Sequence, residues 1–177
     1  VYLAELVYLE RYLKEPLPER PIASDLEYLR YTPDREDEFV AALESTYVES
    51  HDCPRLTGLR RPRDTLLGHM HTGEHDPNLW FLALRHGAPA GLLLLSGVRG
   101  RSCLEIVYMG VCFEHRGLGV GDALMSRAFS AARERRQNSL MLAVDSINIH
   151  ARRLYDRWGF REVGRRRAWA AINPSAR

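Results

Sequence analysis

Two hydrophobic periods alternate along the chain, one of two residues and one of three to four, and they divide it into strands and helices. Val1 to Lys14 mixes apolar and charged positions and fits a strand, over Ala4 to Leu9, or a short helix. Pro16, Pro18 and Pro21 break any regular element, so residues 15–24 read as a linker. Leu26 to Tyr31 alternates and predicts a strand. Thr32 and Pro33 supply an N-cap and a first-turn proline, and Asp34, Glu36 and Asp37 suit the positive end of a helix. Phe39, Val40, Leu43 and Tyr47 then share one helical face. A loop with two prolines covers 51–63, and a short helix follows over 64–71.

Strands dominate the middle of the chain. Trp80 to Arg85, Ala90 to Val98 and Cys103 to Val111 are joined by short turns, which predicts an antiparallel meander. Val120, Ala123, Leu124, Ala128 and Ala131 then recur at helical spacing over 119–135. Leu140 to Val144 reads as a buried strand, parallel to the one before the helix by the right-handed crossover rule. Asn148 can cap a helix carrying Ala151, Leu154, Tyr155 and Trp158 on one stripe, with Gly159 at its C′ position. Residues 161–170 form a last strand. The order predicts an α+β domain with a mixed sheet and helices on both faces: a meander running into a β-α-β unit with one parallel pair.

Composition narrows the class. The chain has 177 residues, 45% hydrophobic and 27% charged, which suits one globular domain with a real core. The net charge of +2 is nearly balanced, so nothing in it argues for a nucleic-acid or membrane surface. Lys14 is the only lysine, which the codon usage of a GC-rich genome would produce. Cys53, Cys103 and Cys112 are odd in number and lack C-x-x-C spacing, so a reducing cytoplasm suits the chain better than a disulfide framework. Apolar runs such as Gly91 to Leu95 are strand-sized, far below the roughly 20 residues of a membrane span. No signal peptide is visible, and a first residue of Val1 points to a fragment or a processed chain.

The most informative stretch is Arg116-Gly-Leu-Gly-Val-Gly121, between a strand ending at Val111 and an amphipathic helix. Glycines let a ligand approach the backbone, and N–H groups at a helix start favour an anion such as a pyrophosphate. A tight turn alone would use the same glycines. A P-loop would need G-x-x-x-x-G-K-S/T, and no lysine follows. A Rossmann fingerprint would need a third glycine where Asp122 stands.

Arg116-x-x-Gly119-x-Gly121 resembles the R/Q-x-x-G-x-G/A motif of the GCN5-related N-acetyltransferase (GNAT) superfamily. Downstream, Asn148-x-x-Ala151-x-x-Leu154-Tyr155-x-x-x-Gly159-Phe160 resembles that family's second signature. The resemblance covers Leu26 to Ala170 and implies a GNAT-like acyl-CoA N-acyltransferase fold that moves an acetyl group from acetyl-CoA directly to a primary amine. It implies that backbone N–H groups of Arg116, Gly117, Leu118, Gly119, Val120 and Gly121 hold the diphosphate. It also implies that the strands ending near Val111 and Val144 splay to admit the pantetheine arm, that Val111 N–H polarises the thioester, and that Asn148 contacts the arm.

By the same resemblance Tyr155 is the candidate general acid for the departing thiolate; a core aromatic on an apolar stripe would look the same. Glu105 is the candidate general base, because Glu105-Ile-Val-Tyr resembles the E-I-V-aromatic strand of the histone acetyltransferase branch. A strand glutamate reaching solvent or an arginine is the competing reading. His115 and Tyr108 flank the cleft as weaker candidates. His69, His71 and His75 invite a metal reading, but histidines two apart on a helix, such as His69 and His71, point to different sides, so no metal is expected. Cys112 reads as a small buried cysteine rather than an acyl carrier.

The family's final strand has no counterpart after Ala171 to Arg177. Either the chain is the C-terminal unit of a tandem-GNAT protein, with residues 1–24 a remnant of the preceding unit and 25–177 the domain, or the first strand fills the vacant sheet position. The acceptor amine is expected near the first helix and the loop at Glu49, His51 and Asp52; it is a small molecule or a peptide. A homodimer and a preceding GNAT-like unit are the candidate protein partners. A non-catalytic acyl-CoA sensor is the alternative function.

Overall fold

A computed structural model describes residues 2–49 and 61–169. The elements are β1 (Tyr2–Tyr12), β2 (Leu26–Arg30), α1 (Glu36–Tyr47), α2 (Pro62–Met70), β3 (Glu74–Arg85), β4 (Ala88–Gly97), β5 (Cys103–Val111), α3 (Val120–Glu134), β6 (Ser139–Asp145), α4 (Ile149–Arg157) and β7 (Arg161–Trp169). His51, Asp52, Cys53 and residues 170–177 lie outside the described residues.

The strands form one sheet in the order β2-β3-β4-β5-β6-β1-β7. Its one parallel pair is β5 with β6. Period-two alternation sends side chains to two cores. Leu93 and Leu95 of β4 join α3 and α4 on one face, where Val120, Leu124, Phe129, Leu154 and Trp158 are buried. Leu92 and Leu94 join Phe39 and Leu43 of α1 and Leu66 of α2 on the other. Among the described residues no helix is long and apolar enough to cross a membrane.

The first segment is a strand, and it lies inside the sheet. β1 pairs antiparallel with β6 from Leu6↔Asp145 to Tyr12↔Ser139, and with β7 on its other side. Val7 and Leu9 are buried in the α3/α4 core, at the two-residue spacing only a strand allows. Residues 15–24 are not a free tether: Leu17 packs on the core and Arg20 Nε donates to Asp122 at 2.9 Å.

Two local expectations need correction. Thr32 makes no side-chain cap, because residues 33–35 tighten into a 3₁₀ turn and α1 starts only at Glu36, whose carboxylate accepts from the Tyr31 hydroxyl at 3.0 Å. Strand β3 starts at Glu74 rather than Trp80, with an irregular register between His75 and Trp80 where Pro77 lacks an N–H to give.

Candidate active site

The parallel pair is short. β5 and β6 pair only from Cys103↔Ser139 to Ile106↔Leu142; beyond that β5 runs on to Val111 and β6 to Asp145 without meeting. The gap opens into a cleft of about 910 Å³ whose walls include Val111, Arg116, Gly119, Gly121, Asn148 and Tyr155.

The β4/β5 ladder fixes which peptide groups face this gap. Cys112 N–H donates to Ala90 C=O at 2.9 Å, so residues 112 and 90 form a hydrogen-bonded pair. Antiparallel ladders alternate, so Gly110 points its peptide groups at β4 while Val111 and Met109 point theirs away from it, into the gap. Two N–H donors two residues apart therefore line the edge of β5. Val111 was expected from the sequence; Met109 was missed, although its phase follows once Val111 is placed.

At the mouth of the cleft, Gly117 and Gly119 hold φ of 75° and 80°, a region where other residues are strained. Gly119 is the N-cap of α3. Arg116 N–H donates to Phe113 C=O at 3.3 Å, and the next N–H taken by a backbone carbonyl is that of Ala123, by Gly119 at 3.1 Å. Among the described residues, the N–H groups from Gly117 to Asp122 thus stand without a backbone partner at the positive end of a 15-residue helix. That donor set fits a diphosphate. Val120 is buried beneath the turn, and Leu118 is exposed with its carbonyl accepting from Arg85 at 3.3 Å.

Arg116 behaves differently from the glycines. Its guanidinium donates to the Thr46 and Glu49 carbonyls at 3.0 and 3.4 Å, at the C-terminal end of α1. A cation there complements the helix dipole and anchors the turn. Asp122 is held by the indole N–H of Trp158 at 2.7 Å as well as by Arg20.

Asn148 caps α4, its side-chain oxygen accepting from Ala151 N–H at 3.2 Å. Tyr155 projects from α4 into the cleft wall, nearly buried, its ring 5.8 Å from that of Phe160. Glu105 stands elsewhere. It lies opposite Ser96 and beside Met141, one residue before the last paired position. Ser96 donates to the Thr72 carbonyl at the end of α2 at 2.6 Å, which puts Glu105 on the α1/α2 face and outside the cleft wall. Tyr155 and Glu105 thus lie on opposite faces of the sheet. Burial pushes the Glu105 carboxyl above its ordinary pKa, and it has no ion pair among the described residues.

A β-bulge at Val107 carries Tyr108 to the Glu105 side of the sheet, where its hydroxyl lies 2.6 Å from Thr46 Oγ1. His115 lines the cleft with a buried Nδ1. His75 packs edge-on against Trp80 at 4.7 Å, and burial pulls its pKa down. No group of three or more metal-ligating side chains gathers among the described residues. Cys112 is buried, and burial raises its thiol pKa.

The family model of the acetyltransferase (GNAT) family matches residues 43–160. A mycothiol acetyltransferase of Acidothermus cellulolyticus is 31% identical over 173 residues, covering 90% of this chain and 52% of that protein. A second, from Thermobispora bispora, is 29% identical and covers 86% and 52%. The chain thus spans about half the length of these curated relatives. Among solved structures, a GCN5-related N-acetyltransferase from Sphaerobacter thermophilus superposes with a TM-score of 0.69 at 22% identity, over 93% of this chain and 50% of that one. A tandem GNAT protein from the clavulanic acid biosynthesis pathway gives 0.64 at 16% identity, over 96% and 55%. The matched span holds the glycine turn, the parted strands and the capped α4 helix together, and on that footing the chain belongs to the GNAT acetyltransferase family.

Proposed function

We propose that this chain transfers the acetyl group of acetyl-CoA directly to a primary amine, in the gap between β5 and β6. The observation that carries the reading is the union of that gap with the unpartnered N–H groups of Gly117 to Gly121 at its mouth. These amides bind the diphosphate, and the thioester arm runs along the free edge of β5. Met109 and Val111 N–H groups donate to the thioester oxygen as charge develops on it. Asn148 orients the arm from the start of α4.

The two faces divide the chemistry. On the α1/α2 face, Glu105 accepts a proton from the attacking amine, directly or through water. The nitrogen bonds to the acetyl carbon as the carbon–sulfur bond breaks, and Tyr155 on the α3/α4 face gives its proton to the departing thiolate. Arg116 acts by anchoring the turn, as its bonds to α1 favour, rather than by grasping phosphate.

The test is release of free CoA, followed by chromatography, from acetyl-CoA and a panel of amines. The acceptor of the mycothiol acetyltransferases heads the panel, with glucosamine, spermidine, a free amino acid and a peptide amino terminus behind it. Wild type runs beside Tyr155→Phe. Turnover lost in the variant supports the reading; acetyl-CoA binding without CoA release in the wild type would make the protein a sensor.

A further inference from the structure

We infer that the acceptor carries a carboxylate about 10 Å from its amine and that Arg166 receives it; this rests on the transfer reading above. The α1/α2 side of the sheet is only half covered among the described residues, since the core beneath those helices draws on β2 to β5 alone. Val7, Leu9, Leu142 and Val144 belong to the α3/α4 core, so alternation sends Leu6, Tyr8, Met141 and Ala143 to the other, uncovered half. Ala143 is exposed, lines the cleft, and is the first residue of β6 beyond its last pair with β5 at Leu142. The cleft therefore runs out across Ala143. Directly opposite Ala143 lies Tyr8, and the exposed Arg166 of β7 holds its guanidinium 5.3 Å from the centre of the Tyr8 ring. Gly164 faces Tyr8 from β7, where an added Cβ would meet nothing within 4 Å, so the flank of the ring is open.

Charge singles out Arg166 on this surface. Arg165, beside it in the chain, points to the opposite face and pairs with Glu5 and Glu162. Arg101 pairs with Glu10, and Arg161 with Glu15. Among the described residues no carboxylate pairs with Arg166, whose contact is the Tyr8 ring.

The half-covered face thus carries an acid, Glu105, on β5 and a cation two strands further out. An acceptor with an amine at one end and an anion at the other matches both. The floor between them is the methyl group of Ala143, which suits an apolar spacer. Strands stand about 4.8 Å apart, so a thioester one spacing from β6 and a guanidinium one spacing beyond it are separated by roughly 10 Å. One guanidinium balances one negative charge, and its planar fork fits a carboxylate. Arg166 is a specificity-determining residue remote from the reacting atoms, and Tyr8 is a positioning residue that holds it.

The experiment compares ε-aminocaproate, whose extended length spans this distance, with hexylamine and hexamethylenediamine. Each is assayed as an acceptor and as a competitor of the panel amine with the fastest turnover. In the wild type ε-aminocaproate should lead hexylamine about tenfold in kcat/KM or in inhibition constant, the worth of one charge-assisted hydrogen bond at an exposed site. Arg166→Gln should remove that lead while leaving hexylamine within twofold, and Arg166→Glu should move the preference to hexamethylenediamine. KM for acetyl-CoA should stay put in both variants, and melting curves verify that each is folded. A wild type that treats ε-aminocaproate and hexylamine alike, or variants that weaken all three probes equally, would overturn the inference and leave the transfer reading intact. Absence of CoA release by the wild type with every amine would sink both.

Discussion

Replacing Gly119 and Gly121 by alanine, one at a time, separates backbone strain from helix propensity within a single motif. Gly119 sits at φ 80°, ψ 1°, and an added Cβ would meet nothing closer than Ala23 Cβ at 3.9 Å. Its substitution therefore carries no clash, only the roughly 1–2 kcal/mol that a non-glycine residue pays in the left-handed region. Gly121 lies in the first turn of α3, and its added Cβ would reach Leu154 Cδ2 at 3.4 Å and Val111 Cγ2 at 3.9 Å, ordinary contacts. Alanine there gains up to about 1 kcal/mol of helix propensity. The two variants should shift the melting temperature in opposite directions, by about 2–4 °C per kcal/mol for a chain of this size. Melting with and without saturating acetyl-CoA completes the assay. Gly119→Ala should also lose much of the cofactor-induced rise, because relaxing φ re-aims the N–H groups. Shifts of the same sign, or a full cofactor response in Gly119→Ala, would refute the account of the turn.

Three further variants test the structure away from the glycine turn. Arg11 is buried, donates to the Trp158 and Pro16 carbonyls at 3.1 and 2.8 Å, and pairs with Glu15; Arg11→Met should cost about 3 kcal/mol in urea unfolding, the low end for a broken buried pair because Glu15 can hydrate. Burial raises the Glu105 carboxyl, so kcat/KM should fall as pH drops through a limb above the ordinary carboxylate range, and Glu105→Gln should erase that limb and lower kcat by about 10²–10⁴. A raised folded pKa also means that Glu105 favours the fold fully below its unfolded pKa and loses that contribution as pH rises through the folded value, so Glu105→Gln should melt no lower than wild type at pH 8. Tyr155→Phe keeps the ring packed on Phe160, so stability should hold within about 1 kcal/mol while kcat falls at least tenfold and KM for acetyl-CoA is unchanged.

What could be read from the sequence was governed by how local each constraint is. Strand β5 ends at Val111 as expected, and α4 carries both its Asn148 cap and its C′ Gly159 at φ 77°, because cap and helix lie within a dozen residues. The site of β1 was not legible as a single answer, because Val7 pairs with Val144 and Arg165 and nothing in Ala4 to Leu9 names partners so distant. The bulge at Val107 hid inside an unbroken apolar run whose phase carries no mark, so Tyr108 read only as a flanking residue. Arg116 and Arg11 were obscured by abundance: among so many arginines, nothing local tells a guanidinium that ends a helix from one in solvent. The Thr32 cap failed because a 3₁₀ turn and an N-cap start from similar residues.

The placement of β1 also explains why the gap exists. Two parallel strands of apolar sequence would ordinarily continue their ladder, and an open edge inside a fold leaves N–H groups such as those of Met109 and Val111 without backbone partners among the described residues. Here β6 has a competing neighbour. It pairs with β1 along Ser139 to Asp145, its whole length, but with β5 only as far as Leu142. β1 is in turn held by β7, so β6 cannot swing toward β5 without tearing a ladder on its other side. The wedge on the β5 side is α3 itself, whose second residue, Gly121, stands between Val111 and Leu154. The free edge of β5 is thus sustained by the strand from the far end of the chain, and a ligand that hydrogen-bonds along that edge recovers what the parted ladder forgoes.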